Sequence, residues 1–260
     1  MKGKDKKRIL ILGGGFAGVE CTLKLESYFK NNHDIEITLI SEDNFLLFTP
    51  MLPQVAAGTI ETRHIVTPIR TLIKKTKFYE AKIKNIDPYG KIVTLFGTKE
   101  SRGMRIHYDF LVVALGSQTN FFGMKDVEEN SYKMNTINDA ILLRNRIIDL
   151  LEQAENETDP ILRKSLLQIV IVGGGFAGVE TAGEINDFIN EIAEYYPSIT
   201  YKDVKVTLIE ATSEILTGFP QKLAKFAKEK LVERGIKVIL DAGVTSFNGQ
   251  EIMLESQTES

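Results

Sequence analysis

Two short apolar runs, each followed directly by glycines, organise the pattern of hydrophobic and polar positions along the chain. Ile9–Leu12 and Ile169–Val172 have the length and the branched residues of buried strands, and a stretch with helical character follows each of them. A second apolar run comes later in each half, at Ile35–Ile40 and Val204–Ile209. The pattern predicts a strand–helix–strand unit with parallel strands in each half of the chain.

The segments between these units predict shorter elements. Phe78–Ile86 and Lys91–Phe96 alternate apolar and polar residues around a turn, which is typical of a β-hairpin. Asp109–Leu115 is continuously apolar after its first residue and predicts a buried parallel strand. The proline-interrupted segment Phe45–Pro53 predicts no regular element, whereas Asn138–Gln153 has the periodicity of a helix.

The octapeptide GGGFAGVE occurs twice without a difference, at Gly13–Glu20 and at Gly173–Glu180. In a G-x-G-x-x-G turn the first glycine lets the chain turn tightly, the second lets the backbone approach a pyrophosphate, and the third lets the helix pack on the strand. These glycines are Gly13, Gly15 and Gly18 in the first copy and Gly173, Gly175 and Gly178 in the second. A tight turn without a ligand would explain one copy, but two copies between a strand and a helix predict two dinucleotide sites.

The residue that ends the second strand of such a unit normally accepts hydrogen bonds from the adenosine ribose. Glu210 holds this position in the second half, and its charge would repel a 2′-phosphate, so NADH is favoured over NADPH. The aligned residue in the first half is Ser41, with Glu42 one position later. An acid exposed at a strand end also has an ordinary structural explanation, and that alternative stays open for both halves.

Composition disfavours several other classes of function. The net charge of −3 disfavours a nucleic-acid partner, because a phosphate-binding surface needs a basic excess. Cys21 is the only cysteine, so the chain has no disulfide or C-x-x-C pair, and a reducing cytoplasmic setting is expected. The histidines are scattered, at positions 33, 64 and 107, and predict no metal site. No apolar run approaches the roughly 20 residues that span a bilayer.

Two dinucleotide sites in one chain favour electron transfer between their ligands. A nicotinamide donor and a flavin acceptor form the economical pair, and the protein then orients them and excludes competing reactions. The expected cofactors are therefore a flavin and NADH.

Three further segments resemble a known family. Phe48–Leu52, Tyr108–Ser117 and the Ala182-Gly183-Glu184 triplet, together with the two glycine motifs, are similar to the pyridine-nucleotide–disulfide oxidoreductase superfamily. The resemblance covers essentially the whole chain. It is closest to the type II NADH:quinone oxidoreductases, because of the Phe-Thr-Pro segment, the insertion Asn186–Lys202 and the missing redox cysteines.

The resemblance implies roles for individual residues. The FAD pyrophosphate would lie along the first motif, at Gly13, Gly15, Phe16, Ala17 and Gly18. The ribose would lie near Ser41 or Glu42, and the adenine near the backbone at Lys82. The flavin would lie near Thr49 of the Phe-Thr-Pro segment, with Ala114 and Gly116 closing over the cofactor. NADH would use Gly173, Gly175, Phe176, Ala177, Gly178 and Glu210.

Glu180 is the one candidate catalytic residue. It matches a glutamate that the family places on the nicotinamide and quinone side of the flavin. Glu20 holds the same place in the first copy, where no such role is expected, and a glutamate near a helix N-terminus also suits the helix dipole. Both interpretations of Glu180 remain open.

The expected fold is α/β, with two Rossmann-like FAD/NAD(P)-binding βαβ units and parallel sheets, the second inserted in or following the first. Residues 1–118 are expected to bind FAD, 119–165 to form a helical linker, and 166–260 to bind NAD. The resemblance departs at Ser41, where the family commonly has an acid, and at the C-terminus. There the family continues with a return to the FAD domain and a membrane-docking region, so a truncated chain is expected.

The expected function is hydride transfer from NADH to FAD, followed by electron transfer to a quinone. Two alternatives remain: a catalytically incomplete nucleotide-binding fragment, and a flavin reductase with a protein electron acceptor. A disulfide or sulfide oxidoreductase is rejected for lack of redox cysteines. NADH and a quinone are the expected partners, nucleic acid is not, and a homodimer is allowed. The location expected is cytoplasmic, with full-length relatives peripheral at the inner face of the cell membrane.

Overall fold

The computed structural model describes residues 6–96 and 103–256, which divide into two compact units. One unit combines the chain up to Phe48 with Ile65–Gln118, and the other combines Thr49–His64 with the chain from Thr119 onward. Residues 119–165, expected as a linker, hold helices that belong to the second unit.

The elements follow one another in the order that a duplicated unit requires. The strands are β1 (Lys7–Leu12), β2 (Ile35–Ser41), β3 (Phe45–Leu47), β4 (Val66–Pro68), β5 (Lys77–Glu80), β6 (Ile83–Asp87), β7 (Ile92–Leu95), β8 (Arg105–His107), β9 (Phe110–Val113), β10 (Gln168–Val172), β11 (Lys205–Ile209), β12 (Lys237–Ile239), β13 (Ala242–Phe247) and β14 (Ile252–Ser256). The α-helices are α1 (Phe16–Tyr28), α2 (Leu52–Ala56), α3 (Ile69–Leu72), α4 (Lys125–Asn130), α5 (Ile137–Asn156), α6 (Pro160–Leu166), α7 (Phe176–Ile192) and α8 (Gln221–Glu233).

The first unit is built on a parallel sheet in the order β5-β2-β1-β9. Successive residues of β1 face opposite sides of the sheet, so the strand is buried from both. Ile9 and Ile11 pack with Val19 of α1 on one face. Leu10 and Leu12 pack on the other face with residues of the three-stranded antiparallel sheet β6-β7-β8. The continuous apolar run of β1 is explained by this burial.

The second unit repeats the arrangement with the parallel sheet β10-β11-β12, where β10 pairs with β11 in the same direction as β1 with β2. The predicted α/β class with parallel sheets is therefore confirmed. The prediction that the whole of β10 is buried is wrong, since Val172 is 56% exposed and Val170 is 37% exposed. The reason is that β10 is an edge strand, whereas β1 has a neighbour on each side.

Three local predictions need correction. Asp109–Leu115 forms the expected parallel strand, but Phe110 and Val113 are exposed because β9 lies at the edge of its sheet. Phe78–Ile86 is two strands, since β5 joins the parallel sheet and only β6 forms the hairpin with β7. Phe45–Pro53 is regular: β3 pairs with β4, a 3-10 turn covers Thr49–Met51, and α2 accepts Pro53 in its first turn, where an N–H needs no partner.

Candidate dinucleotide-binding sites

The first glycine motif forms a turn that only glycine fits. Gly13 has a φ of +107°, and a Cβ there would lie 2.0 Å from the carbonyl oxygen of Ala114. A Cβ on Gly18 would lie 1.8 Å from the carbonyl oxygen of Gly13. The turn is tied to the sheet because Gly13 N–H donates to the Ile40 carbonyl at 2.8 Å and Ala114 N–H to that of Leu12 at 2.8 Å. Strand, turn and helix are thus locked together by backbone contacts.

The second glycine of the motif has different surroundings. Gly15 is exposed, a Cβ there would meet nothing within 4 Å, and α1 begins at the next residue. Gly15 has no side chain to cap the helix, and the exposed residues Phe16 and Ala17 follow it. The first N–H groups of a helix have no partner within the helix and attract anions. This end of α1 therefore offers space and backbone donors to a phosphate.

The second motif repeats this geometry closely. Gly173 has a φ of +105° and donates its N–H to the Ile209 carbonyl at 2.8 Å. A Cβ on Gly178 would lie 1.8 Å from the Gly173 carbonyl oxygen, while a Cβ on Gly175 would meet nothing within 4 Å. A Cβ on Gly173 also meets nothing, unlike that on Gly13, because β10 has no strand in the place of β9.

Glu210 closes the second site at the end of β11. Its Oε2 accepts a hydrogen bond from Gly174 N–H at 2.5 Å, and its Oε1 accepts one from Thr212 N–H at 2.8 Å. A Cβ on Gly174 would lie 3.0 Å from Glu210 Oε2 and 2.9 Å from Ile215. The middle glycine of the motif is therefore needed for the strand-end carboxylate to reach the glycine turn. The sequence reasoning assigned no role to Gly174 or Thr212.

The matching position of the first unit is built differently. Ser41 is buried, and a Cβ on Gly14 would lie 2.5 Å from its Oγ. Glu42 is exposed and lies 3.2 Å from the Lys82 ammonium, so these three predicted residues do share one end of the sheet. Burial, together with the charges of Glu42 and Glu80, raises the pKa of the adjacent Asp43 carboxyl. The end of β2 is thus acidic and only partly balanced by Lys82.

Each motif phenylalanine makes an edge-to-face contact with a second phenylalanine that the sequence reasoning did not connect with it. Phe16 meets Phe48 with ring centroids 5.5 Å apart, and Phe176 meets Phe219 at 4.6 Å. The second pair is held beside the motif because Leu216 N–H donates to the Gly174 carbonyl at 2.7 Å. Gly218 and Pro220 around Phe219 indicated a turn, but nothing local indicated its partner.

The remaining predicted residues fall in three places. Gly116 follows β9 with a φ of +75°, and Ala177 is exposed in the first turn of α7. Thr49 belongs to the second unit, in the 3-10 turn before α2. Glu180 is exposed on α7. These positions are compatible with their expected roles and do not test them.

The two motif glutamates have different neighbours although their octapeptides are identical. Glu20 forms an ion pair with Lys24 one turn later, at 3.3 Å. The residue one turn after Glu180 is Glu184, which accepts a hydrogen bond from the Gln54 amide at 3.3 Å. Glu180 thus shares its side of α7 with an acid rather than a base.

Residues 6–96 and 103–256 contain no group of three or more histidine, cysteine, aspartate or glutamate side chains arranged to hold a metal ion. Over the same residues, no helix is both long and apolar enough to cross a bilayer.

Comparison with known proteins identifies the family. The model of the pyridine nucleotide-disulphide oxidoreductase family matches residues 7–260. The chain belongs to this family. Its membership confirms the resemblance seen in the sequence.

Individual family members give a finer comparison. An Arabidopsis thaliana protein named external alternative NAD(P)H-ubiquinone oxidoreductase B2, mitochondrial, is 37% identical over 98% of this chain and 44% of its own length. A Yarrowia lipolytica external alternative NADH-ubiquinone oxidoreductase, mitochondrial, is 35% identical over 96% of this chain and 44% of its own. The chain thus spans less than half the length of these two relatives.

A solved structure agrees over almost the whole chain. NDH2 from Plasmodium falciparum, in complex with NADH, superposes with a TM-score of 0.88 at 28% identity, covering 97% of this chain and 51% of that protein. The names of these relatives are those expected of the type II branch.

Proposed function

We propose that this chain is the dinucleotide-binding part of an FAD-dependent NADH dehydrogenase that passes electrons to a quinone. The observation that carries the proposal is the pair of glycine turns, each open at its second glycine and each followed by a different strand-end group. The named relatives support it, because two are named ubiquinone oxidoreductases, one for NAD(P)H and one for NADH, and the third is a structure in complex with NADH.

The first unit is proposed to hold FAD. The space at Gly15 and the uncapped start of α1 fit a pyrophosphate, with Phe16, Ala17 and Gly18 supplying backbone N–H groups. Further proposed contacts are Ser41 or Glu42 for the ribose, Lys82 for the adenine side, and Thr49, Ala114 and Gly116 around the flavin. When bound, FAD supplies a two-electron acceptor that can return electrons one or two at a time.

The second unit is proposed to bind NADH. Gly175, Phe176 and Ala177 would hold its pyrophosphate at the start of α7, and Glu210 would accept hydrogen bonds from the adenosine ribose. The carboxylate would repel the 2′-phosphate of NADPH. NADH gives up a hydride, and a quinone finally takes two electrons and two protons, one of them from solvent. Glu180 is proposed to lie on the nicotinamide and quinone side.

The domain boundaries, assembly and location also remain proposals. We propose an FAD-binding part at 1–118, a helical linker at 119–165 and an NAD-binding part at 166–260. A peripheral association with a membrane follows from the quinone substrate, which dissolves in lipid. The location proposed from the sequence is the cytoplasmic face of the cell membrane, and the mitochondrial names of the relatives offer the mitochondrial membrane instead. A homodimer also remains a prediction, which a measurement of the molecular mass in solution checks.

A visible spectrum tests the proposed function directly. The purified 260-residue chain, mixed with FAD and freed of excess, is expected to show flavin absorption that NADH bleaches and a short-chain quinone restores. A protein that stays colourless with added FAD would contradict catalysis by this chain and favour the incomplete nucleotide-binding fragment. Absorption restored only by a protein acceptor would contradict the quinone assignment.

A further inference from the structure

Thr212 contacts the strand-end carboxylate of the second unit through both its backbone and its side chain. Its N–H donates to Glu210 Oε1 at 2.8 Å, and its hydroxyl lies 3.0 Å from the same oxygen. The hydroxyl also lies 2.8 Å from the Glu214 carbonyl oxygen. Because a hydroxyl has a single proton, it donates at any one time either to the Glu210 carboxylate or to the Glu214 carbonyl of the following loop. Thr212 therefore connects the carboxylate with the loop that follows β11.

The loop around Thr212 is itself anchored at both ends. The Thr212 carbonyl accepts from Asp241 N–H at 3.1 Å, and the later residue Leu216 donates to the Gly174 carbonyl at 2.7 Å. Thr212 is thus held by backbone contacts independent of its own side chain. Its hydroxyl contacts both the Glu210 carboxylate and the Glu214 carbonyl of the loop, while these backbone contacts hold the loop in addition.

The contacts leave Glu210 a limited choice of further partners. A carboxylate has about four acceptor positions, and the donors from Gly174 and Thr212 occupy up to three of them. The remaining capacity suits the hydroxyl donors of a ribose. A 2′-phosphate brings only negative charge to the same place, and a carboxylate that cannot rotate away cannot relieve the repulsion.

The first unit provides a comparison for the contact between Thr212 and Glu210. Its strand-end acid, Glu42, is exposed and lies 3.2 Å from the exposed ammonium of Lys82 instead of a hydroxyl on its own loop. The two units share their glycine motif to the last residue but differ at this contact. The orientation of the carboxylate is therefore a property of the second site alone.

We propose that Thr212 is a positioning residue that fixes the Glu210 carboxylate and thereby sets the preference of the second site for NADH over NADPH. The inference rests on the proposed NADH-binding role of the second unit. It assigns discrimination to a side chain that acts through Glu210.

The test compares NADH and NADPH binding to variants of the full chain. Thr212→Val keeps the size of the side chain and removes its hydroxyl. Thr212→Ser keeps the hydroxyl and removes the methyl group. Thr245→Val is the matched control, because Thr245 is an exposed threonine of the same unit whose hydroxyl donates to the Met253 carbonyl on β14. Dissociation constants are measured by the fluorescence of each reduced dinucleotide, and the melting temperature reports folding.

For Thr212→Val we expect NADH to bind about five- to tenfold more weakly, as for loss of one ordinary intramolecular hydrogen bond. NADPH binding is expected to stay level or improve, because a carboxylate held only by the N–H groups of Gly174 and Thr212 can shift from the phosphate more easily. Thr212→Ser and Thr245→Val are expected to keep the wild-type ratio. A purely structural role would weaken both dinucleotides equally, and that result would overturn the inference.

A second measurement keeps the test decisive if Thr212→Val lowers stability. In a Glu210→Gln background, Thr212→Val should no longer change the NADH:NADPH ratio, because the carboxylate that it orients is gone. Equal effects in both backgrounds would contradict the inference. If Thr212→Val binds NADH with the wild-type NADH:NADPH affinity ratio, only this inference is contradicted. If the wild-type chain binds NADH but does not reduce quinone, only the proposed reaction is contradicted. A wild-type chain that binds neither dinucleotide would contradict both.

Discussion

Gly175 and Gly178 lie three residues apart in one motif, yet a methyl group would have opposite consequences at the two positions. At Gly175 it would enter open space, whereas at Gly178 it would lie 1.8 Å from the Gly173 carbonyl oxygen. The first glycine of the pair thus leaves room for a ligand, and the second allows the helix to approach the turn. Adding one methyl group is therefore expected to affect ligand binding at Gly175 and folding at Gly178.

Gly175→Ala is expected to fold with a stability within about 0.5 kcal/mol of the wild type and to bind NADH at least tenfold more weakly. Gly178→Ala is expected to lose the fold of the second unit. Urea unfolding and NADH titration check both. Gly15→Ala is the matched control in the first unit and should weaken FAD while leaving NADH affinity unchanged. Equal NADH binding by wild type and Gly175→Ala would remove the phosphate role from this turn.

The two motif glutamates provide a second matched pair. Glu180→Gln is expected to lower the rate of quinone reduction by about tenfold or more, as for loss of a group near the reacting atoms. Glu20→Gln removes the corresponding carboxylate from an exposed ion pair with Lys24 and should leave the rate unchanged. Steady-state turnover with NADH and quinone measures both. Equal losses in the two variants would favour the helix-dipole explanation for both residues.

At the scale of elements, Glu26 near the end of α1 ties the helix to the segment that leads into β5. Its Oε1 accepts hydrogen bonds from the N–H groups of Lys75 and Thr76 at 2.7 Å each, and from that of Lys74 at 3.0 Å. Partial burial would raise the pKa of Glu26, but the N–H groups of Lys75, Thr76 and Lys74 outweigh it and lower the pKa. The charged form is therefore the one that holds these elements together.

Glu26→Gln should destabilise the first unit at neutral pH by roughly 1 kcal/mol, reduced by solvent screening. Because the folded state lowers the pKa, the advantage of wild type is complete above the ordinary value of 4.5 and disappears as the pH falls through the lower folded value. Urea unfolding of both proteins at neutral pH and near pH 4 measures this difference. A stability gap that is constant with pH would show that the ionised carboxylate has no part in it.

At the scale of the whole molecule, the chain forms two units, each with its own parallel sheet and its own glycine turn. A ligand that binds only the folded form of one unit slows opening of that unit by mass action. Under the proposed assignment, NADH should therefore stabilise the second unit and FAD the first.

Hydrogen exchange read by mass spectrometry should show this separation. NADH added alone is expected to protect amides around Gly173–Gly178 and Glu210–Leu216, and FAD added alone those around Gly13–Gly18. The Gly175→Ala chain should lose the first effect and keep the second. Protection of the first motif by NADH and of the second by FAD would reverse the proposed assignment.

Local order was readable from the sequence because it depends on neighbours in the chain. The glycine turns, their preceding strands and their following helices are determined by residues within about ten positions of each other, and both units form them as expected. The β6–β7 hairpin is of the same kind. The roles assigned to the site residues remain predictions.

Non-local contacts decided the rest. Whether an apolar strand is buried depends on whether another strand pairs beside it, and this separates β1 from β10 although their sequences are alike. The contact of Phe176 with Phe219 and the hydrogen bond of Gly174 with Glu210 join residues about 40 positions apart. The sequence by itself determined where the two glycine turns form. Only the tertiary structure decided what surrounds each turn, because those groups are brought there by packing of distant segments.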